Sequence, residues 1–208
     1  MTQYASPIIL RNMNCPICNR TSPQSTIQDN AYLVKKYDVD GQPLIISWHT
    51  KDYEQFQPSY YRLCYCPYCY YTDLKEDFLA GGNFFAKQNG TLKRIEQILD
   101  VKRKQNNQVF MQLGAGIEFE KMNYNLALNI HLLAIYIHEL PEKEIRDYEK
   151  LAYLYHITSW IYKENKSVNF HIIAGESYNV FSNIFNDYYG SHKKFLSSFI
   201  EIATMIYF

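Results

Sequence analysis

The chain has 208 residues, of which 47% are hydrophobic, and its 21 basic side chains balance its 21 acidic ones. This composition excludes a disordered chain and fits one domain or two small ones. The zero net charge argues against duplex DNA as the main partner, because DNA binding requires a strongly basic surface. No apolar run reaches the length of a membrane span, and the N-terminus lacks the basic leader of a secretory signal. We therefore expect a cytoplasmic protein that contacts no membrane.

Proline and cysteine are unevenly distributed along the chain. All five Cys and six of the seven Pro lie within residues 1–69, whereas the rest of the chain holds only Pro141. The part with little Pro is long enough to be mostly helical. We predict a β-rich head at residues 1–79 and an all-α domain at residues 80–208, divided near a Gly-Gly-Asn sequence that interrupts regular structure.

The head begins with a C-P-x-C turn at residues 15–18, which we call the first knuckle. An Asp40-Gly41 turn signal then stands between two β-rich segments and predicts a hairpin. A third β-rich segment leads directly into a second C-P-x-C turn at residues 66–69, the second knuckle. The three β-rich segments are residues 32–34, 44–48 and 60–65. Together they predict a small antiparallel, zinc-ribbon-like sheet.

The two knuckles together provide four thiols, those of Cys15, Cys18, Cys66 and Cys69. Each knuckle places two thiols three residues apart on a turn that its Pro preforms, which is the spacing a tetrahedral metal site requires. We therefore predict one zinc ion per chain, structural because four thiolates leave no open position for water. A tetrahedron of four thiolates also accepts iron, and the sequence does not choose between the two metals.

The second knuckle has a competing interpretation as a redox dithiol. C-P-Y-C is the dithiol motif of glutaredoxins, in which Cys66 and Cys69 would form a reversible disulfide. Such a domain needs a cis-proline loop after the motif, but Pro141 is the only later proline and lies in a helical stretch. The fifth thiol, Cys64, alternates into the sheet and is expected to be a small core residue.

Apolar spacing predicts about five helices in the second half of the chain. Their expected positions are a helix capped by Thr91, then residues 117–140, 144–163, 172–188 and 193–208. His131 and His138 share a face of one helix but are too far apart to chelate one ion, so we expect them to be packing residues. No hydrolase, phosphate-binding or dinucleotide-binding motif is present, so we predict no catalytic site.

The residues around the second knuckle carry a family resemblance. The run Pro58-Ser59-Tyr60-Tyr61-Arg62-Leu63 leads into the knuckle, and Asp77-Phe78 follows it. With the first knuckle and the helical tail, this pattern resembles the bacterial family catalogued as domain of unknown function 2225. Family members usually have Gly directly after the second knuckle, where this chain has Tyr70. Because Tyr disfavours the left-handed conformation that this position takes, we expect a less regular second knuckle.

The helical half is similar to tetratricopeptide-type hairpins. Ala127, His131 and Ala134 have the spacing of a second repeat helix, and Ala174, Tyr178 and Phe181 repeat it. The resemblance implies a zinc-ribbon-like head on a helical-repeat body, without an established activity. We therefore expect a protein–protein interaction or scaffold protein, with the helical face or the Tyr-rich second knuckle as the contact surface. A nucleic-acid-binding zinc ribbon, a dithiol redox protein and a hydrolase or other enzyme remain as alternatives, and the oligomeric state stays open.

Overall fold

The computed structural model describes residues 6–80, 89–105, 107–114, 117 and 122–164. Strands β1 (Ile8–Asn14), β2 (Thr21–Ile27), β3 (Tyr32–Tyr37), β4 (Pro43–Trp48), β5 (Leu63–Tyr65) and β6 (Thr72–Leu74) precede the helices. The helices are α1 (Lys75–Leu79), α2 (Asn89–Lys104), α3 (Gln108–Gly114), α4 (Tyr124–Glu139) and α5 (Tyr148–Glu164). This arrangement confirms the predicted α+β class.

The strands form three separate antiparallel hairpins, each with two consecutive strands. The β1–β2 hairpin encloses the first knuckle, and the β5–β6 hairpin encloses the second. The β3–β4 hairpin between them lies where the Asp-Gly signal predicts it, with Tyr32 opposite Trp48. The single sheet predicted from the three β-rich segments is wrong, because β5 pairs with β6 and not with the β3–β4 hairpin. The third predicted strand is also shorter than expected, because Pro58 opens a 3-10 turn over Pro58–Tyr61 before β5 begins.

Helices α2, α4 and α5 correspond to three of the predicted helices, with shifted starts. Helix α4 begins at Tyr124 because the side chain of Asn123 caps it, accepting a hydrogen bond from the Leu126 amide at 3.0 Å. Thr91 lies inside α2, where its hydroxyl donates to the Ile145 carbonyl at 2.5 Å instead of capping the helix. The predicted helices at 172–188 and 193–208, and the repeat at Ala174, lie outside the described residues.

The hydrophobic core has two clusters, and helix α4 contributes to both. The first cluster surrounds the cysteines and includes Met13, Tyr71, Phe78, Ile95, Leu99, Phe110, Leu133 and Ile137. The second joins β5 and β6 to α4 and α5 and includes Leu63, Leu74, Ile130, Leu151, Leu154 and Ile157. Both clusters therefore draw on residues from either side of position 79, and the two-domain division there stays a prediction. None of the helices in the described ranges is long and apolar enough to cross a bilayer.

Candidate metal centre

Both knuckles fold into the same backbone turn. In each, the amide after the second Cys donates to the carbonyl of the first Cys, and the amide of the first Cys donates to a carbonyl five residues on. These bonds are Asn19 to Cys15 (2.9 Å) and Cys15 to Arg20 (3.0 Å) in the first knuckle, and Tyr70 to Cys66 (2.9 Å) and Cys66 to Tyr71 (2.8 Å) in the second. The expectation of an irregular second knuckle is therefore wrong.

Tyr70 adopts the left-handed conformation that favours Gly, with φ 67°, matching φ 56° at Asn19 of the first knuckle. Packing offsets the strain, because the Tyr70 ring stacks on Phe110 with centroids 5.3 Å apart and planes 14° apart. Gly114 makes room for this ring. A Cβ atom there would lie 2.9 Å from Tyr70 Cδ1 and 2.8 Å from the Tyr65 hydroxyl.

The two knuckles bring four sulfur atoms together. The Sγ atoms of Cys15, Cys18, Cys66 and Cys69 all lie within 4.8 Å of one another, and no disulfide joins them. Two sulfur–sulfur contacts run between the knuckles, 3.5 Å from Cys15 to Cys69 and 3.6 Å from Cys18 to Cys66. Three of the four side chains are buried and Cys18 is half-buried. This quartet could hold one metal ion with every tetrahedral position filled by protein.

The electrostatics of the quartet favour a bound cation. Hydrogen bonds from Cys15 and Cys69 lower the pKa of the Cys66 thiol well below its usual value. A hydrogen bond to Cys66 raises the pKa of the Cys15 thiol to about 12. Hydrogen bonds to Cys15 and Cys66, together with burial, raise the pKa of the Cys69 thiol. Without a cation, the shared hydrogen bonds and burial therefore oppose ionisation of Cys15 and Cys69. A soft divalent cation would allow all four to be thiolates, which is the donor set that zinc and iron bind.

The surroundings of the quartet hold it in place. The Ile17 amide donates to Cys15 Sγ at 3.4 Å, the kind of N–H to sulfur bond that stabilises a thiolate. The fifth thiol, Cys64, is buried 3.7 Å from Met13 Sδ, and burial raises its pKa to about 12. It is a small core residue, as predicted.

A side-chain amide joins the two knuckle hairpins, a link that the sequence analysis missed. Gln24 of β2 is buried, its Nε2 donates to the Tyr65 carbonyl at 2.8 Å, and its Oε1 accepts from the Tyr65 amide at 3.0 Å. The Gln24 amide thus pairs with β5 as a strand backbone would. Strand β2 consists mostly of polar residues, so its composition does not predict a strand.

A buried group of charged side chains lies beyond the second knuckle, and the sequence analysis missed this group too. Asp73 Oδ2 accepts from the Tyr71 hydroxyl at 2.5 Å and from Lys150 Nζ at 2.8 Å, and lies 3.4 Å from His138 Nε2. Asp77 Oδ2 lies 3.1 Å from the same Lys150 nitrogen. All five side chains are at most 5% exposed. We call this set the charge network.

Asp73 and Lys150 keep their charges although both side chains are buried. Burial alone would raise the pKa of Asp73, but His138 and the Lys150 ammonium lower it below its usual range. Burial lowers the pKa of Lys150, yet the two carboxylates raise it above its ordinary value. The expectation that His138 is only a packing residue is therefore incomplete. Asp77 lies in the first turn of α1 and is buried there.

His131 packs as predicted, and three of the six Tyr residues around the second knuckle are buried. His131 Nδ1 lies 2.7 Å from the Ala127 carbonyl, and burial lowers the pKa of His131 to about 4. Tyr61, Tyr65 and Tyr71 are buried, whereas Tyr68 at the knuckle tip is 42% exposed. Within the described part of the chain, the four cysteines are the one group of three or more potential ligands close enough to hold an ion.

The structure is that of an α+β protein with three small hairpins and packed helices. Its two knuckles bring together four cysteines that could hold a metal ion. Comparison with known families agrees with this description. Residues 8–207 match the model of a family described as an uncharacterised protein conserved in bacteria, DUF2225, and the chain belongs to that family. No curated protein and no solved structure matches the chain.

Proposed function

We propose that the chain is a zinc-stabilised protein that works by binding other proteins, with no reaction at its metal centre. The proposal rests on the exposed apolar side chains of the β3–β4 hairpin. Five large apolar side chains of this hairpin are between 47% and 60% exposed: Leu33, Tyr37, Val39, Leu44 and Ile45. An apolar surface concentrated on one element is typical of a protein contact surface.

The choice of zinc, one ion per chain, follows from the donor set. Four Cys ligands in two turns suit a structural zinc, and they leave no position where a water could be activated. Reduced thiols held for a metal fit a cytoplasmic location, where disulfides rarely form. Zinc binding would contribute on the order of 10 kcal/mol to folding, which three two-stranded hairpins need because such hairpins are marginal alone.

Two alternatives receive less support from the same geometry. A dithiol mechanism uses only Cys66 and Cys69, yet the sulfurs of Cys15 and Cys18 lie 3.5 Å from Cys69 and 3.6 Å from Cys66, which a metal site explains and a dithiol does not. A nucleic-acid platform needs exposed aromatic faces, but of the six Tyr side chains around the second knuckle only Tyr68 is exposed.

The proposal is tested by affinity capture from the cells that make the protein, followed by mass spectrometry. The L33E/I45E double variant places two charges on the exposed hairpin, and L10E places one on an apolar side chain of β1 that is also exposed. We expect specific partners to be captured by the wild type and by L10E and lost with the double variant. Equal capture by all three proteins, with metal content unchanged, would contradict the proposal.

A further inference from the structure

A compact cationic surface lies at the tips of the two knuckles, where α2 ends. We define it as the knuckle rim, formed by Arg20, Tyr68, Asp100, Arg103 and Lys104. The guanidinium carbon of Arg20 lies 5.1 Å from the centroid of the Tyr68 ring, and Arg103 Nη1 donates to the Tyr68 carbonyl at 3.4 Å. Arg20, from the end of the first knuckle, therefore contacts the Tyr68 ring, and Arg103 of α2 contacts the Tyr68 backbone.

The charges of the knuckle rim do not balance. Asp100 is the one carboxylate of the set, and it accepts from both Arg103 at 3.0 Å and Lys104 at 2.7 Å. These two cations lower the pKa of Asp100, so its carboxylate stays ionised at neutral pH. Three cations against one carboxylate give the rim a charge of +2 within a chain whose net charge is zero.

The backbone of the knuckle rim at Tyr68 is fixed before any partner binds. Tyr68 lies between Cys66 and Cys69, so the knuckle turn fixes its backbone, and Arg103 holds its carbonyl. An exposed aromatic side chain on a fixed backbone loses little entropy when a partner covers it. Arg and Tyr are also the residue types that contribute most binding energy in protein interfaces.

We propose that the knuckle rim binds an acidic segment of a protein partner. Carboxylates of that segment pair with Arg20 and Arg103, whose guanidinium groups suit two-bond contacts with carboxylates, and an apolar side chain covers the exposed Tyr68 ring. This surface is separate from the β3–β4 hairpin, so the inference goes beyond the proposed function and stands or fails independently of it.

The same observations favour an acidic peptide over a single-stranded nucleic acid. Strand-binding grooves follow the nucleic-acid backbone with a track of cations and several stacking aromatic side chains. The rim offers one exposed Tyr and three cations, which suits a few carboxylates and one apolar side chain.

The test measures the fluorescence anisotropy of labelled probes with the metal-loaded full chain. The probes are a synthetic peptide of alternating Glu and Phe, a matched peptide of alternating Gln and Phe, and an oligothymidylate. We expect the Glu peptide to bind with an affinity that falls as salt rises, and to bind at least about tenfold more tightly than the other two probes. Tighter binding of the oligothymidylate, or equal binding of the two peptides, would overturn the inference.

Variants separate a specific surface from general charge. R20A and R103A should each weaken the Glu peptide about fivefold to tenfold, whereas K36A, which removes an exposed cation from β3, should leave its affinity within about twofold. R103E should bind a matched peptide of alternating Lys and Phe more tightly than the wild type does. This variant tests the surface through a gain in affinity instead of a loss. Equal weakening by K36A, or no effect of R20A and R103A in proteins with unchanged metal content, would overturn the inference.

Discussion

The ammonium group of Lys150 in α5 lies 2.8 Å from Oδ2 of Asp73 in β6, and both side chains are buried. The two residues are 77 positions apart, and their contact ties the strand that leaves the second knuckle to the last described helix. Buried charges are tolerated only when each has a partner. The charge network therefore fixes how the second knuckle sits against α4 and α5.

Lys150→Met tests this contact. The substitution leaves Asp73 and Asp77 buried without their cation, so we expect the free energy of unfolding to fall by about 3–5 kcal/mol in urea denaturation. Lys104→Met is the matched control. Lys104 pairs with Asp100 at 2.7 Å and both side chains are exposed to solvent, so its loss should leave the stability nearly unchanged. Equal effects of the two variants would contradict the role assigned to the charge network.

His131 predicts a pH dependence of stability. Its pKa falls from 6.5 to about 4 because burial disfavours the charged imidazole, so the unfolded chain takes up a proton before the folded chain does. Stability should therefore fall as pH decreases from about 6.5 to about 4, by up to about 3 kcal/mol from this residue. His131→Leu removes the titrating group. Its unfolding free energy, measured in urea at each pH, should decline less steeply than that of the wild type, and parallel curves would disprove the assignment.

Gly114→Ala tests the packing behind the second knuckle. The added Cβ would lie under 3 Å from atoms of Tyr65 and Tyr70, so one ring must move, and we expect a loss of about 1–3 kcal/mol. Because Tyr70 directly follows Cys69, the variant should also release metal to a chelator faster. Gly90→Ala is the control, since nothing lies within 4 Å of its Cβ position and Ala favours helix. If both variants melt and release metal alike, the packing argument is wrong.

Gln24→Ala tests the link between the two knuckle hairpins. The substitution removes both hydrogen bonds to the Tyr65 backbone and leaves its buried amide and carbonyl without these partners, so we expect a loss of about 2–4 kcal/mol in thermal or urea unfolding. Gln28→Ala, which removes one exposed hydrogen bond to the Ser6 carbonyl, should change stability by less than about 0.5 kcal/mol. A Gln24 variant as stable as the Gln28 variant would show that the link contributes nothing.

Local patterns in the sequence predict the features that depend on neighbouring residues. The C-P-x-C spacing predicts the cysteine quartet, the Asp40-Gly41 signal predicts the β3–β4 hairpin, and the apolar stripe predicts α4. Each of these patterns is complete within a few residues, so a single sequence carries enough information to find it.

The missed features depend on contacts between distant residues. Lys150 and Asp73 look like ordinary surface charges until the fold buries them together, and Gln24 looks like a loop residue until it meets Tyr65. Tyr70 appeared unsuited to its turn because the stacking with Phe110 that offsets its strain comes from another element. Local propensity cannot include such tertiary compensation.

The most direct test of the metal assignment measures zinc and reactive thiols together on protein purified under reducing conditions. We predict about one zinc per chain, with Cys15, Cys18, Cys66 and Cys69 protected from a thiol reagent until a chelator removes the metal, and loss of the folded state on that removal. A chain that contains no metal, keeps its fold, and cycles Cys66 and Cys69 between thiols and a disulfide would contradict the account.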